Sequence, residues 1–151
     1  MDRTTFQPLL LTLALIGCAP LAQAATTLVY CSEASPAGFD PSQYTSGTDF
    51  DASAETVFNR LTQFKRGGTE VEPGLATSWD VSADGLTYVF HLKTGITFRD
   101  GTPFSDNDVK WTLDRDRAPT ATGAQKQLFE NIAAVDVVDP ATVKVTLSKP
   151  Q

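Results

Sequence analysis

"WDVSADGLTYVFHLKTGITF" (Trp79–Phe98) is the stretch on which the fold reading turns. In its second half Leu86, Tyr88, Phe90 and Leu92 alternate with Thr87, Val89, His91 and Lys93. Successive side chains of an extended chain point to opposite faces, so a period of two predicts a half-buried strand over Leu86–Lys93. Ser82-Ala83-Asp84-Gly85 precedes it as a turn, with glycine free to take positive φ. Thr77–Val81 reads as the partner strand, and Gly95 and Asp100-Gly101 turn the chain around a short Ile96–Phe98 segment. Two strands do not make a stable protein, so the flanking sequence must supply the rest of the core.

Downstream, Ser105 stands three residues before Asp108, the spacing of a capping box with Asp in place of Glu. A helix is predicted from Asp106 to about Arg115. Asp106 and Asp108 suit its positive end, and Arg115 and Arg117 its negative end. Ala118–Gly123 (APTATG) is a loop, and Gln125–Ala133 reads as a short helix. Ile132, Val135, Val137 and Val138 lead into a strand, Asp139-Pro140 turns, and Thr142–Leu147 (TVKVTL) alternates as another.

Upstream, Thr26–Cys31 is rich in β-branched and aromatic residues and suits a buried strand. Glu33–Phe50 is irregular, punctuated by Pro36, Gly38, Pro41 and Gly47. Loops of that length in compact domains are usually functional or disordered. Phe50, Ala54, Val57, Phe58, Leu61 and Phe64 recur at helical spacing, which predicts a core-facing amphipathic helix ended by Gly67-Gly68. Pro73-Gly74 is read as a turn.

The chain has 151 residues, 41% hydrophobic and 20% charged, with a net charge of −6. That is globular composition with one modest core. No basic block exists to neutralise phosphates, which argues against a nucleic-acid partner. Residues 1–24 read as a signal peptide. Leu9–Ala19 is apolar but too short to span a bilayer, and Ala22-Gln23-Ala24 is an A-x-A pattern that places cleavage between Ala24 and Ala25. Leu15-Ile16-Gly17-Cys18 offers a rival route in which Cys18 carries lipid. The A-x-A site is preferred because it directly precedes the first strand. Cleavage there leaves Cys31 as the only cysteine, which suggests a free thiol, an intermolecular bond or a partner elsewhere.

Catalytic chemistry finds little support. His91 is the only histidine and falls on the polar strand face. A Cys31–His91 dyad has no motif behind it. Asp49, Asp51 and Glu55 surround a helix start, where the helix dipole accounts for them without a metal. No calcium-loop, HExxH or CxxC pattern occurs. Thr45-Ser46-Gly47-Thr48 differs from these. Small hydroxyl residues and a glycine in a long loop let backbone amides and hydroxyls approach a polar ligand.

"GLATSWDVSADGLTYVFHLKTGITFRDGTPFSDNDVKWTLDR" (Gly74–Arg115) resembles the signature region of the family-5 extracellular solute-binding proteins, the peptide-binding components of ABC importers. The shared pattern runs from Leu-Ala and Ser-Trp through Asp-Gly, Tyr-x-Phe-x-Leu-Lys and Gly-Ile-x-Phe to Gly-Thr-Pro-Phe and Asn-Asp-Val. The stretches TLVYCSEASPAGFDP, YTSGTDFDAS and FNRLTQFKRGGTEVEPGLA resemble the dipeptide-binding branch. The resemblance spans Thr27–Pro150 and implies an α/β fold, the N-terminal part of a two-lobe, type II periplasmic-binding-protein fold. Residues 25–64 would begin the N-terminal lobe and carry a ligand-lining loop. Residues 65–151 would form a small, peripheral, β-rich α+β subdomain, incomplete here, with the rest of both lobes expected beyond Gln151.

The family likeness further implies a monomeric periplasmic protein that takes no cofactor and performs no covalent chemistry. It would capture dipeptides or short peptides between its lobes and deliver them to an inner-membrane ABC permease. Thr45, Ser46, Gly47 and Thr48 match the segment that lines the peptide site. Cys31 matches an early cysteine that pairs with one further along, and the charged anchors for the peptide termini are expected beyond Gln151. Alternatives are another small solute of the same family (an oligopeptide, haem, nickel or an opine), a secreted hydrolase, or a lipid-anchored interaction domain.

Overall fold

The computed structural model describes residues 27, 29, 31–54 and 56–150. The chain divides into two units, Met1–Cys31 and Ser32–Gln151. The signal peptide, Cys18, the Ala24–Ala25 cleavage site and Glu55 lie outside the described residues. In the first unit Thr27, Val29 and Cys31 are exposed, and none belongs to a strand. Thr26, Leu28 and Tyr30 of the strand predicted over Thr26–Cys31 lie outside the described residues.

The second unit is built on a four-stranded antiparallel sheet in the order β3-β4-β6-β5. Its strands are β3 (Ala76–Val81), β4 (Thr87–Leu92), β5 (Ile132–Asp139) and β6 (Thr142–Leu147). The alternation seen in the sequence is the alternation of its faces. Leu86, Tyr88, Phe90 and Leu92 lie against the core, where Ala76, Val135, Val143, Val145 and Leu147 are buried. Trp79 stands opposite Phe90 across the β3–β4 pair, with ring centroids 6.5 Å apart. The turn joining β3 to β4 has Gly85 at φ 69°, and Asp84 Oδ1 accepts from the Leu86 amide at 3.0 Å.

Helix α2 (Asp106–Arg117) packs its Val109 and Leu113 onto this core. It also grips β5, an edge strand. Lys110 Nζ donates to the Val135 carbonyl at 2.7 Å, and Arg117 Nη1 to the Ala133 carbonyl at 3.2 Å. A second, shorter helix, α3 (Lys126–Phe129), is cut off by β5, so the helix predicted over Gln125–Ala133 ends early. From Ile132 the amides are taken by pairing with β6.

The largest departure from expectation lies over Phe50–Phe64. Helical structure stops at Ala54: α1 (Gly47–Asp49) passes into a π-helical segment, Phe50–Ala54. Thr62–Phe64 is instead a strand, β1, paired with β2 (Val71–Pro73). The backbone just before β1 is taken too, since the Arg60 and Leu61 carbonyls accept from the Leu75 and Ala76 amides at 2.7 and 2.9 Å. A helix there would forfeit those bonds. It would also have little to bury, because Val57 is 56% exposed and Phe64 64%. Gly67, at φ 76°, turns the β1–β2 hairpin rather than ending a helix. Gly74 is a point of close approach, where a Cβ would stand 2.3 Å from the Arg60 carbonyl oxygen.

Candidate functional site

The loop Ala37–Asp49 carries the four residues singled out above, and its shape is set from Asp49. Ser46 caps the three residues of α1, its Oγ accepting from the Asp49 amide at 3.2 Å. Asp49 answers through Oδ2, which accepts from the Ser46 amide at 3.1 Å and the Ser46 hydroxyl at 2.6 Å. Its other oxygen, Oδ1, accepts from the Ala37 amide at 2.8 Å and so joins the two ends of the loop. Asp49 is buried. The Ser46 hydroxyl holds its carboxyl below the ordinary carboxylate value; burial opposes this, and the amides of Ala37, Ser46 and Gly38 reinforce it. Within the loop the Tyr44 ring lies on Gly38, where a Cβ would come within 2.1 Å of it.

Around that buried carboxylate, Thr45, Ser46 and Gly47 are exposed and Thr48 is half-buried. Ser46 Oγ and Thr48 Oγ1 are 3.0 Å apart. The loop thus presents the four residues as one short polar ridge. The Ser46 amide and hydroxyl are both engaged by Asp49. Gly47 is open, with nothing within 4 Å of where a Cβ would stand. None of the four lines the nearby cavity of about 340 Å³, whose walls include Ser42, Arg115, Asp116 and Phe129.

Two residues that matter here escaped the sequence reading. Asp49 was assigned to the helix dipole, although Ser46-x-x-Asp49 has the spacing already recognised at Ser105-x-x-Asp108. Asp40 reaches Arg115, which lies 75 residues away in sequence, and no local pattern announces such a pair. His91 sits on the solvent-facing side of β4, its Nε2 2.9 Å from Asp80 Oδ2. Among the described residues no group of three His, Cys, Asp or Glu side chains could hold a metal ion.

Against known proteins, the family model for bacterial extracellular solute-binding proteins, family 5 Middle, matches residues 70–151. The chain belongs to this family. Di/tripeptide-binding protein 1 of Pseudomonas aeruginosa is 50% identical over 97% of the chain and 30% of its own length. Two solved structures share the architecture. One is the dipeptide-binding protein of Pseudoalteromonas sp. SM9913 in complex with Met-Leu, at TM-score 0.71 and 26% identity over 80% of this chain and 27% of that one. The other is NikZ of Campylobacter jejuni in complex with Ni(L-His), at TM-score 0.60 and 38% identity over 62% of this chain and 19% of that one. The family-5 chain therefore spans about 30% of the length of that curated relative. Its sheet and helices are part of the type II periplasmic-binding-protein fold.

Proposed function

We propose that this chain contributes the beginning of the periplasmic binding component of an ABC peptide importer. That component captures dipeptides or short peptides and passes them unaltered to an inner-membrane permease. The observation that carries the proposal is the 50% identity, over nearly the whole chain, to a di/tripeptide-binding protein. In this reading residues 25–64 start the N-terminal lobe and residues 65–151 belong to its peripheral subdomain. Thr45, Ser46, Gly47 and Thr48 form part of the rim that meets the peptide. Peptide backbones are captured by polar groups on such rims while a second lobe closes over them. Export follows cleavage between Ala24 and Ala25, the protein works as a monomer, and Cys31 pairs with a later cysteine.

Calorimetric titration of the full-length gene product with dipeptides and tripeptides tests the substrate class, and heat with either is expected. A second reading, a metal or metal-chelate cargo, is favoured by the likeness to the nickel–histidine complex. Heat with Ni(L-His) and none with peptides would establish it in place of the first. Gly47 is the sharpest probe of the rim, because open space surrounds it. Gly47→Trp is expected to weaken peptide binding while leaving the thermal midpoint unmoved. Unchanged affinity in that variant would remove Thr45–Thr48 from the site.

A further inference from the structure

The contacts inside the loop Ala37–Asp49 fix its shape but not its place on the molecule. Among the described residues, the side chain of Arg115 and a close backbone contact at Ala124 tie it to the rest of the unit. Arg115, on α2, directs Nη2 to Asp40 Oδ2 and to Ser42 Oγ, the latter at 3.0 Å. The Ala124 amide donates to the Ser42 carbonyl at 3.1 Å. Gly123 makes that approach possible, since a Cβ there would stand 2.7 Å from the Ser42 oxygen.

Asp40 is itself the keystone of the first turn of the loop. Its carboxylate accepts from the Ser42 amide at 3.0 Å and the Ser42 hydroxyl at 2.8 Å, and its carbonyl from the Gln43 and Tyr44 amides at 3.0 Å each. Burial works to raise the Asp40 carboxyl, yet the hydrogen bonds from Arg115 and Ser42 and the guanidinium charge outweigh it and hold it below the ordinary value. The other end of the contact stands on α2. Arg115 lies two residues beyond Leu113, which packs on the sheet core, and its guanidinium stands 5.8 Å from the centre of the Trp111 ring.

We propose that Arg115 is a positioning residue for the ligand rim: through Asp40 and Ser42 it sets where Thr45–Thr48 stand relative to the sheet, and so tunes peptide affinity without touching peptide. The inference rests on the rim assignment made above. Both partners of the ion pair are partly exposed, and such pairs add little to global stability. Their effect falls on local geometry. One guanidinium nitrogen, Nη2, serves carboxylate and hydroxyl together, and a lysine ammonium on its flexible stem would hold the same two oxygens less firmly.

The test uses the full-length protein with Arg115→Ala, Arg115→Lys, Asp40→Ala and the double variant Arg115→Ala/Asp40→Ala. Three quantities are read: amide exchange without peptide, dipeptide affinity by calorimetry, and the thermal midpoint. Arg115→Ala is expected to speed exchange at Gln43, Tyr44 and Ala124 and to weaken dipeptide binding about tenfold. The amides of β4 and β6 and the midpoint should hold. Arg115→Lys should recover part of the affinity, and the double variant should be no weaker than the weaker single one, because both changes open the same clasp.

Wild type and Arg115→Ala binding dipeptide alike would overturn the inference alone, whether or not the loop loosened. Loss of affinity together with exchange across β4 and β6 would overturn it in favour of a merely structural role. Wild-type protein that binds no dipeptide would overturn the functional reading and this inference with it.

Discussion

Two stretches of this chain begin a helix with the same chemistry and end differently. At Ser46-Gly47-Thr48-Asp49 and at Ser105-Asp106-Asn107-Asp108 an aspartate reaches back to the amide and hydroxyl of the serine three residues before it. From Ser105 a helix of 12 residues follows; from Ser46 α1 has 3, and a 5-residue π-helical segment ends at Ala54. A cap satisfies the orphan amides of a first turn and says nothing about the fourth. After Asp108 the chain finds the sheet, with Val109 buried and Leu113 against the core. After Ala54 the apolar residues Val57 and Phe58 stay largely exposed, and the backbone is claimed by extended pairing from Arg60 onward. Helix length is thus decided by what the apolar stripe meets.

The strongest way to break the contrast is to remove what α2 meets. Val109→Asp places a carboxylate in the buried apolar cluster that includes Val135 and Val143, with no partner provided. It is expected to cost about 3 kcal/mol or more, read as a fall in the denaturant midpoint with loss of helical circular dichroism. Survival of a full-length α2 in that variant would show that its cap alone sustains it.

A smaller effect is expected from Gly74→Ala, which drives a Cβ onto the Arg60 carbonyl at the point where extended pairing displaced the helix. Rigid backbone must shift, at about 1–3 kcal/mol. Amide exchange should rise first at Leu75 and Ala76. An unaffected midpoint would mean that the close approach is soft and does not enforce the strand.

The two caps themselves sharpen the comparison. Asp108→Ala is expected to lower stability by about 1 kcal/mol or less, as cap losses do. Asp49 is expected to show itself through pH. Its native carboxyl lies below the ordinary value of 3.8, so the unfolded chain takes up a proton first as pH falls. The stabilisation is complete above that value and is lost as pH drops through the lower, native one. The amide resonances of Ala37 and Ser46 should therefore move together at acid pH below 3.8, in step with each other. Movement of the pair centred above it would contradict the hydrogen-bonded carboxylate.

Much of the sheet was legible because it rests on local rules. The period of two over Leu86–Leu92 named the core face of β4 residue by residue, and the Thr142–Leu147 alternation did the same for β6. Gly85 marked its turn because positive φ is open to glycine at little steric expense. The stretch Phe50–Phe64 misled because its helical spacing was genuine while its partner surface was not. The signals against a helix were Gly74 and the Lys65–Glu70 hairpin, and both acquire meaning only once the chain folds back. The small polar residues of Thr45–Thr48 stand out in the sequence, whereas the hold of Asp49 on Ala37 spans the whole loop.

The sequence by itself determined the faces of the sheet strands, the start of α2 and the kinship of the chain. Each of these is written in spacings of two to four residues, or in a linear run of motifs. Only the tertiary structure decided where the first helix stops, that β1 replaces its second half, and that Arg115 holds the loop through Asp40. Those outcomes depend on competition for the same backbone amides and on side chains brought together from distant parts of the chain. No local pattern encodes which of two competing partners arrives.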